Sequence, residues 1–230
     1  MGLSEAGESE LIRLTMTDFD GEILIDANVY PGVPMKDYLT RYSGITEEEM
    51  LDDVKNKNCI MGRVNAQYGI WDYVGESTIV VMHGGTNDLQ ALRWIHPTVI
   101  DTYIIAKKRN EAHDKMVAEQ REMQAAAYAK AHPNAPVQEE TWVQLQARRR
   151  AEKAARPHPS CSLKELTLQI WGDVIQDGHH ESLEDVDATR NLLDAFSFAR
   201  ESGLPVGVGL FESDDEEEEE EPEGGVIPGY

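Results

Sequence analysis

The amino-acid sequence predicts an α/β layered fold that carries a helical insert. Three observations predict it. Buried-type strand segments alternate with capped helices up to about Tyr103. Capping-box patterns recur at Thr46, Ser162 and Ser182. Between about Lys107 and Pro159 the composition shifts to Ala, Gln, Glu, Lys and Arg, with few core-forming residues.

Taken in order, Glu10 to Asp18 (ELIRLTMTD) alternates polar and apolar residues and reads as a strand. Phe19-Asp20-Gly21 is a turn, and Glu22 to Val29 is the returning strand of a hairpin. Tyr30 to Pro34 holds two prolines and a glycine and reads as a loop. Thr46, with Glu49 three residues later, caps a helix running to about Lys55. Thr78 to Met82 is an apolar run typical of a buried strand, broken by His83-Gly84-Gly85-Thr86. Asn87 to Trp94 is a short helix with Leu89 and Leu92 inward, and Thr98 to Tyr103 is another buried strand. Ser162 opens a helix to about Trp171, and Ser182 one to about Ala199. Residues 213–230 cannot bury apolar surface and are expected to be a disordered acidic tail.

The net charge of −22 is partly local. Ten negatives between Glu212 and Glu223 account for part of it, and −12 remains without them. Such a surface opposes long-range capture of nucleic acid, whose non-specific affinity comes largely from Lys and Arg. A nucleic-acid function therefore needs a local site and bound metal. The dense basic run is Lys107, Lys108, Arg109, Arg148, Arg149, Arg150, Lys153 and Arg156, within the insert; it is a solvated helical face or an arm that touches phosphates. Cys59 and Cys161 read as free thiols of a reducing compartment. No transmembrane run and no secretory signal are seen, so the expected location is intracellular, nuclear or cytoplasmic, with no membrane partner.

Three segments carry candidate chemistry. Asp88 follows a buried strand and a glycine turn, where α/β sites form. Asp101 ends a second buried strand. In Gly178-His179-His180-Glu181-Ser182-Leu183-Glu184-Asp185, a loop histidine lies five residues before an aspartate in a helix's first turn. A neutral imidazole there can act as general base, and the carboxylate can ligate a hard cation.

In order, these pieces resemble the RNA-exonuclease (Rex-type) branch of the DEDDh 3′–5′ exonucleases. The matching stretches are Glu8 to Leu14, Thr40 to Thr46 (TRYSGIT), His83 to Leu92 (HGGTNDLQAL), His96 to Thr102, Ser162 to Leu166, and His180 to Asp185 with Ala188. The resemblance covers roughly residues 1–108 and 160–200. It implies an exonuclease domain over those two spans, with 109–159 as a helical insert. The implied fold is a ribonuclease-H-like mixed sheet flanked by helices. The implied activity is hydrolysis of terminal phosphodiester bonds, releasing mononucleotides from a single-stranded RNA 3′ end, with DNA as an alternative polymer. Two Mg²⁺ or Mn²⁺ ions, ~3.5–4 Å apart, would clamp the attacking and leaving oxygens.

On this resemblance Asp88 and Asp185 are metal ligands and His180 is the general base. His179 is a loop residue, and Asp101 is structural support near the site. The family's first motif, Asp-x-Glu before a Met, would fall immediately upstream of Met1. Glu5, Glu8 and Glu10 do not replace it by spacing. The expectation is therefore a chain starting at an internal methionine, or a degenerate paralogue. Two of four carboxylates would remain, with weakened Mg²⁺ binding. The first central strand would be missing between the hairpin and the strand at 78–82. Met1 is a candidate surface for base stacking. The competing reading is a non-catalytic nucleic-acid-binding or scaffold paralogue, meeting protein partners through the insert or the acidic tail.

Overall fold

A computed structural model describes residues 1–131, 146, 160–176 and 181–203. The acidic tail, His179, His180 and the basic residues at 148–156 lie outside the described residues.

The strands are β1 (Gly2–Ser4), β2 (Ser9–Glu10), β3 (Arg13–Thr17), β4 (Ile23–Tyr30), β5 (Met35–Asp37), β6 (Cys59–Met61), β7 (Val80–Met82) and β8 (Val99–Asp101). The helices are α1 (Thr40–Ser43), α2 (Glu47–Asn56), α3 (Gly62–Trp71), α4 (Thr86–Leu92), α5 (Thr102–Ala131), α6 (Leu163–Trp171) and α7 (Ser182–Ser202). The fold is mixed α/β, as the alternation of elements predicts.

The strands form three small sheets, ordered β2-β1-β5, β3-β4-β6 and β7-β8. The hairpin β3–β4 is antiparallel, with Leu14 opposite Ala27 and Met16 opposite Ile25. β4 continues into a parallel pairing with β6, and β7 runs parallel to β8. Among the described residues, the outer edges of β3 and β7 carry no strand partner. α7 packs against both strands.

The predicted strand from Glu10 to Asp18 is two strands, broken at Leu11-Ile12. Side chains alternate across extended backbone. Leu11 accordingly joins the cluster of Val29, Ala66, Ile70 and Leu92, while Ile12 joins Ile45 and Met50. One dipeptide thus feeds two separate cores, and the chain bends there from one sheet into the next. The hairpin turn closes through Asp18, whose carboxylate accepts the Glu22 N–H at 2.8 Å.

Thr46 makes the complete capping box: its hydroxyl accepts the Glu49 N–H, and the Glu49 carboxylate accepts the Thr46 N–H at 2.8 Å. Ser162 caps α6 through the Glu165 N–H. Ser182, by contrast, is the first residue of α7; the N-cap is Glu181 and makes no side-chain cap. The acids of that first turn, Glu184 and Asp185, accept hydrogen bonds from Gln176. α5 runs unbroken from Thr102 to Ala131, so the composition shift near Lys107 falls inside one helix. Arg109 of the basic run stacks over the Phe196 ring at 5.4 Å. Both cysteines are free. Among the described residues, no helix is long and apolar enough to cross a membrane.

The third cluster joins α5, α6 and α7 through Ala106, Leu163, Leu166, Ile170, Leu192 and Phe196. Leu192 is fully buried there. Replacing Leu192 by Ala removes its packing and leaves a cavity, so stability should fall by about 2–5 kcal/mol. Urea denaturation of Leu192→Ala beside wild type checks this.

Candidate active site

A cleft of about 960 Å³ lies between β3 and β7, beside the first turn of α7. Met1, Leu14, Val81, Asp88, Tyr103 and Asp185 are among its lining residues. The two predicted carboxylates, from different elements, thus share one cleft. His83 also lines it. His180 lies outside the described residues.

Asp88 is placed by the turn that ends β7. Gly84 has φ +66°, a left-handed conformation that side chains disfavour. Gly85 is needed for space: a Cβ there would lie 1.9 Å from Met82 Sδ. The two glycines reverse the chain tightly and set Asp88 in the first turn of α4. Asp88 is open to solvent through the cleft mouth. The cleft walls nevertheless thin its hydration. Its carboxyl is pushed above the usual carboxylate range, first by this burial; the Met1 amine opposes the shift and Asp101 adds to it. Burial lowers the Met1 amine in turn, against the pull of Asp88.

Asp101 braces the same turn. Its Oδ1 accepts the Gly84 N–H at 2.8 Å and the Tyr103 N–H at 3.0 Å. Asp101 thereby ties the β7–α4 turn to the start of α5.

Asp185 sits in the first turn of α7. Gln176, from the segment before the helix, donates its side-chain amide to Asp185 Oδ1 at 2.6 Å and its backbone N–H to Glu184 Oε2 at 2.9 Å. These bonds occupy the acids that the sequence pattern assigned to a capping box on Ser182.

His83 has a role that the sequence reading left unassigned. Its Nε2 lies 2.9 Å from the Cys161 carbonyl, which only accepts, so Nε2 carries the proton. Its Nδ1 therefore accepts from the Thr102 hydroxyl at 2.8 Å. Thr102 is fully buried. One imidazole thus joins the end of β7, the start of α5 and the approach to α6. The signal in the sequence was the histidine at the strand end, but its partners are distant in the chain.

Glu8 and Glu10, which spacing excludes as metal ligands, are engaged by arginines. Glu8 pairs with Arg93 at 2.5 Å, and Glu10 with Arg63 at 3.5 Å. Among the described residues, no three His, Cys, Asp or Glu side chains gather in a group that could hold a metal. Asp88 and Asp185 are nonetheless carboxylates on the wall of one cleft, the ligand type that Mg²⁺ takes.

No family model matches the chain. RNA exonuclease 1 of Saccharomyces cerevisiae is 39% identical over 105 residues, covering 46% of this chain and 18% of that protein. RNA exonuclease 3 of Yarrowia lipolytica is 37% identical over 98 residues, covering 42% of this chain and 13% of its own length. The chain therefore spans less than a fifth of these curated relatives. Among solved structures, the Saccharomyces cerevisiae Pan2 pseudoubiquitin hydrolase–RNA exonuclease module in complex with AAGGAA RNA superposes with a TM-score of 0.56. It is 20% identical, and the match covers 86% of this chain and 26% of that one. The Neurospora crassa Pan2 catalytic unit gives a TM-score of 0.54 at 19% identity, covering 87% of this chain and 26% of that one. These structures share the fold. The relatives bear out the resemblance to RNA exonucleases carried by the motif order.

Burial holds His83 below the ordinary histidine value of 6.5, against the smaller opposing effects of the Cys161 carbonyl, Asp101 and Asp185. The unfolded chain thus binds this proton more readily than the folded one. Stability that depends on neutral His83 is fully present above about pH 6.5 and is lost as the pH falls through the lowered folded-state value. Urea unfolding at a series of pH values should show this loss in wild type and a flatter profile in His83→Asn.

Proposed function

We propose, on the premise that this chain is a Rex-type relative of the DEDDh exonucleases, that its site shortens single-stranded RNA from the 3′ end. The reaction is hydrolysis of the terminal phosphodiester bond. The observation that supports this most directly is Asp88 and Asp185 lining one cleft from different elements. Asp88 stands just past the carboxyl end of the parallel strand β7, the usual place for a site in an α/β sheet.

Asp88 and Asp185 would hold Mg²⁺ or Mn²⁺, which supplies charge stabilisation at the attacking and leaving oxygens in two-metal phosphodiester hydrolysis. The raised carboxyl of Asp88 suits this assignment, because a cation offsets the thinned hydration of a carboxylate within a cleft. His180 would act as general base. Met1 and Tyr103 give the cleft apolar surfaces against which bases can stack. RNA is the favoured polymer because the relatives are named RNA exonucleases. The spans 1–108 and 160–200 form the catalytic unit in this reading, with 109–159 as an appended insert.

The test is digestion of 5′-end-labelled single-stranded RNA with Mg²⁺ or Mn²⁺. Wild type should give a slow ladder of 3′-shortened products. Asp185→Ala, Asp88→Ala and an EDTA control should all fall to background. Shortening that persists equally in the variants and in EDTA overturns the assignment. No shortening by wild type, with RNA still retained in filter binding, favours the non-catalytic binding paralogue.

A further inference from the structure

Gln176 occupies an unusual position for a residue with a side chain. Its φ is +58°, in the left-handed region that glycine and asparagine favour. It follows Ile175, which is buried in the cluster shared by α6 and α7. Gln176 is held there from three directions. Its N–H donates to Glu184 Oε2 at 2.9 Å, its carbonyl accepts from Lys164 Nζ at 3.2 Å, and its side-chain amide donates to Asp185 Oδ1 at 2.6 Å. Lys164 belongs to α6, and Glu184 and Asp185 to α7. The backbone of Gln176 is therefore clamped between two helices that share a core.

The clamped backbone fixes where the amide points. A carboxylate only accepts hydrogen bonds, so the amide must present its NH₂ to Asp185. A neutral donor orients the carboxylate without cancelling its charge, unlike a lysine or arginine at the same place. The bond from Gln176 fixes the orientation of the carboxylate plane, and a carboxylate offers about four lone-pair sites in all. Gln176 also lines the cleft beside Asp185.

We propose that Gln176 is a positioning residue, whose amide aims the Asp185 carboxylate at the cation site. This rests on the exonuclease reading of the cleft. Partners that orient metal ligands typically change metal affinity about 10–100-fold when removed. The strained backbone is what delivers the amide: an ordinary extended or helical φ at residue 176 would point the side chain elsewhere.

The experiment measures Mn²⁺ binding to the full chain, reading the free ion by electron paramagnetic resonance. The proteins are wild type, Gln176→Met, Gln176→Asn, Asp185→Asn and the Gln176→Met/Asp185→Asn double variant. Gln176→Asn keeps the left-handed backbone while drawing the amide back by one methylene, so it remains informative if Gln176→Met fails to fold. Each Gln176 variant should weaken Mn²⁺ binding about tenfold or more. On the Asp185→Asn background the loss should vanish, because Gln176 acts through Asp185. Wild-type affinity in a folded Gln176 variant, or an equal loss on the Asp185→Asn background, overturns the inference while leaving the site reading intact. Wild-type affinity in Asp185→Asn overturns the site reading itself.

Discussion

Helix α7 is the element on which the arrangement depends, because it spans two sheets that no strand pairing joins among the described residues. β3 belongs to one sheet and β7 to another, and α7 packs on both. Its buried face, with Ala188, Leu192, Ala195 and Phe196, joins the core shared with α5 and α6. Arg190 on the same helix reaches the β3–β4 turn, where a Cβ on Gly21 would meet its guanidinium. The separation of β3 from β7 is thus set by side-chain packing on a helix rather than by a hydrogen-bonded ladder. Burial of apolar surface supplies the attraction that seats the helix. Asp185, in the first turn of this helix, inherits its position from that packing.

The charge arrangement follows from the same geometry. An acidic chain gathers Asp88 and Asp185 in one cleft, with Asp101 behind the turn. The Asp88 carboxyl is raised, first by its loss of hydration in the cleft and then by Asp101. Several acids elsewhere have partners: Glu8 and Glu10 are paired with arginines, Asp26 with Arg13 at 3.1 Å, and Asp53 with the Asn28 amide at 2.6 Å.

The sequence made several elements legible because their signals are local. The β3–β4 hairpin follows from alternation and a turn, and α2 from a capping box contained in four residues. The turn before Asp88 is marked by two glycines with different duties, one for φ and one for space. What escaped had no local signal. β1, β5 and β6 are three residues long, as β7 and β8 are, but sit in no longer apolar run of the kind that marks those two. α3 opens on Gly62 and carries little amphipathic pattern, although Ala66 and Ile70 are buried. The mistaken cap at Ser182 had the right letters, but Gln176 competes for the acids that a capping box would use. The role of His83 depends on Thr102 and Cys161, which approach it only in the folded chain. The Asp88, Asp101 and Asp185 neighbourhood was accessible through motif order, since each stands at the end or start of a recognisable element.

The imidazole of His83 touches two points far apart in the chain, Thr102 at the root of α5 and Cys161 just before α6. Asn110, two turns along α5, also donates to Cys161 Sγ at 3.4 Å. The long excursion between these points therefore departs and returns through one pinned gateway. Closing such an excursion depends only weakly on its length, since each doubling adds about 0.6 kcal/mol. The pin holds the root of α5 and the approach to α6 against the end of β7, beside the turn that carries Asp88.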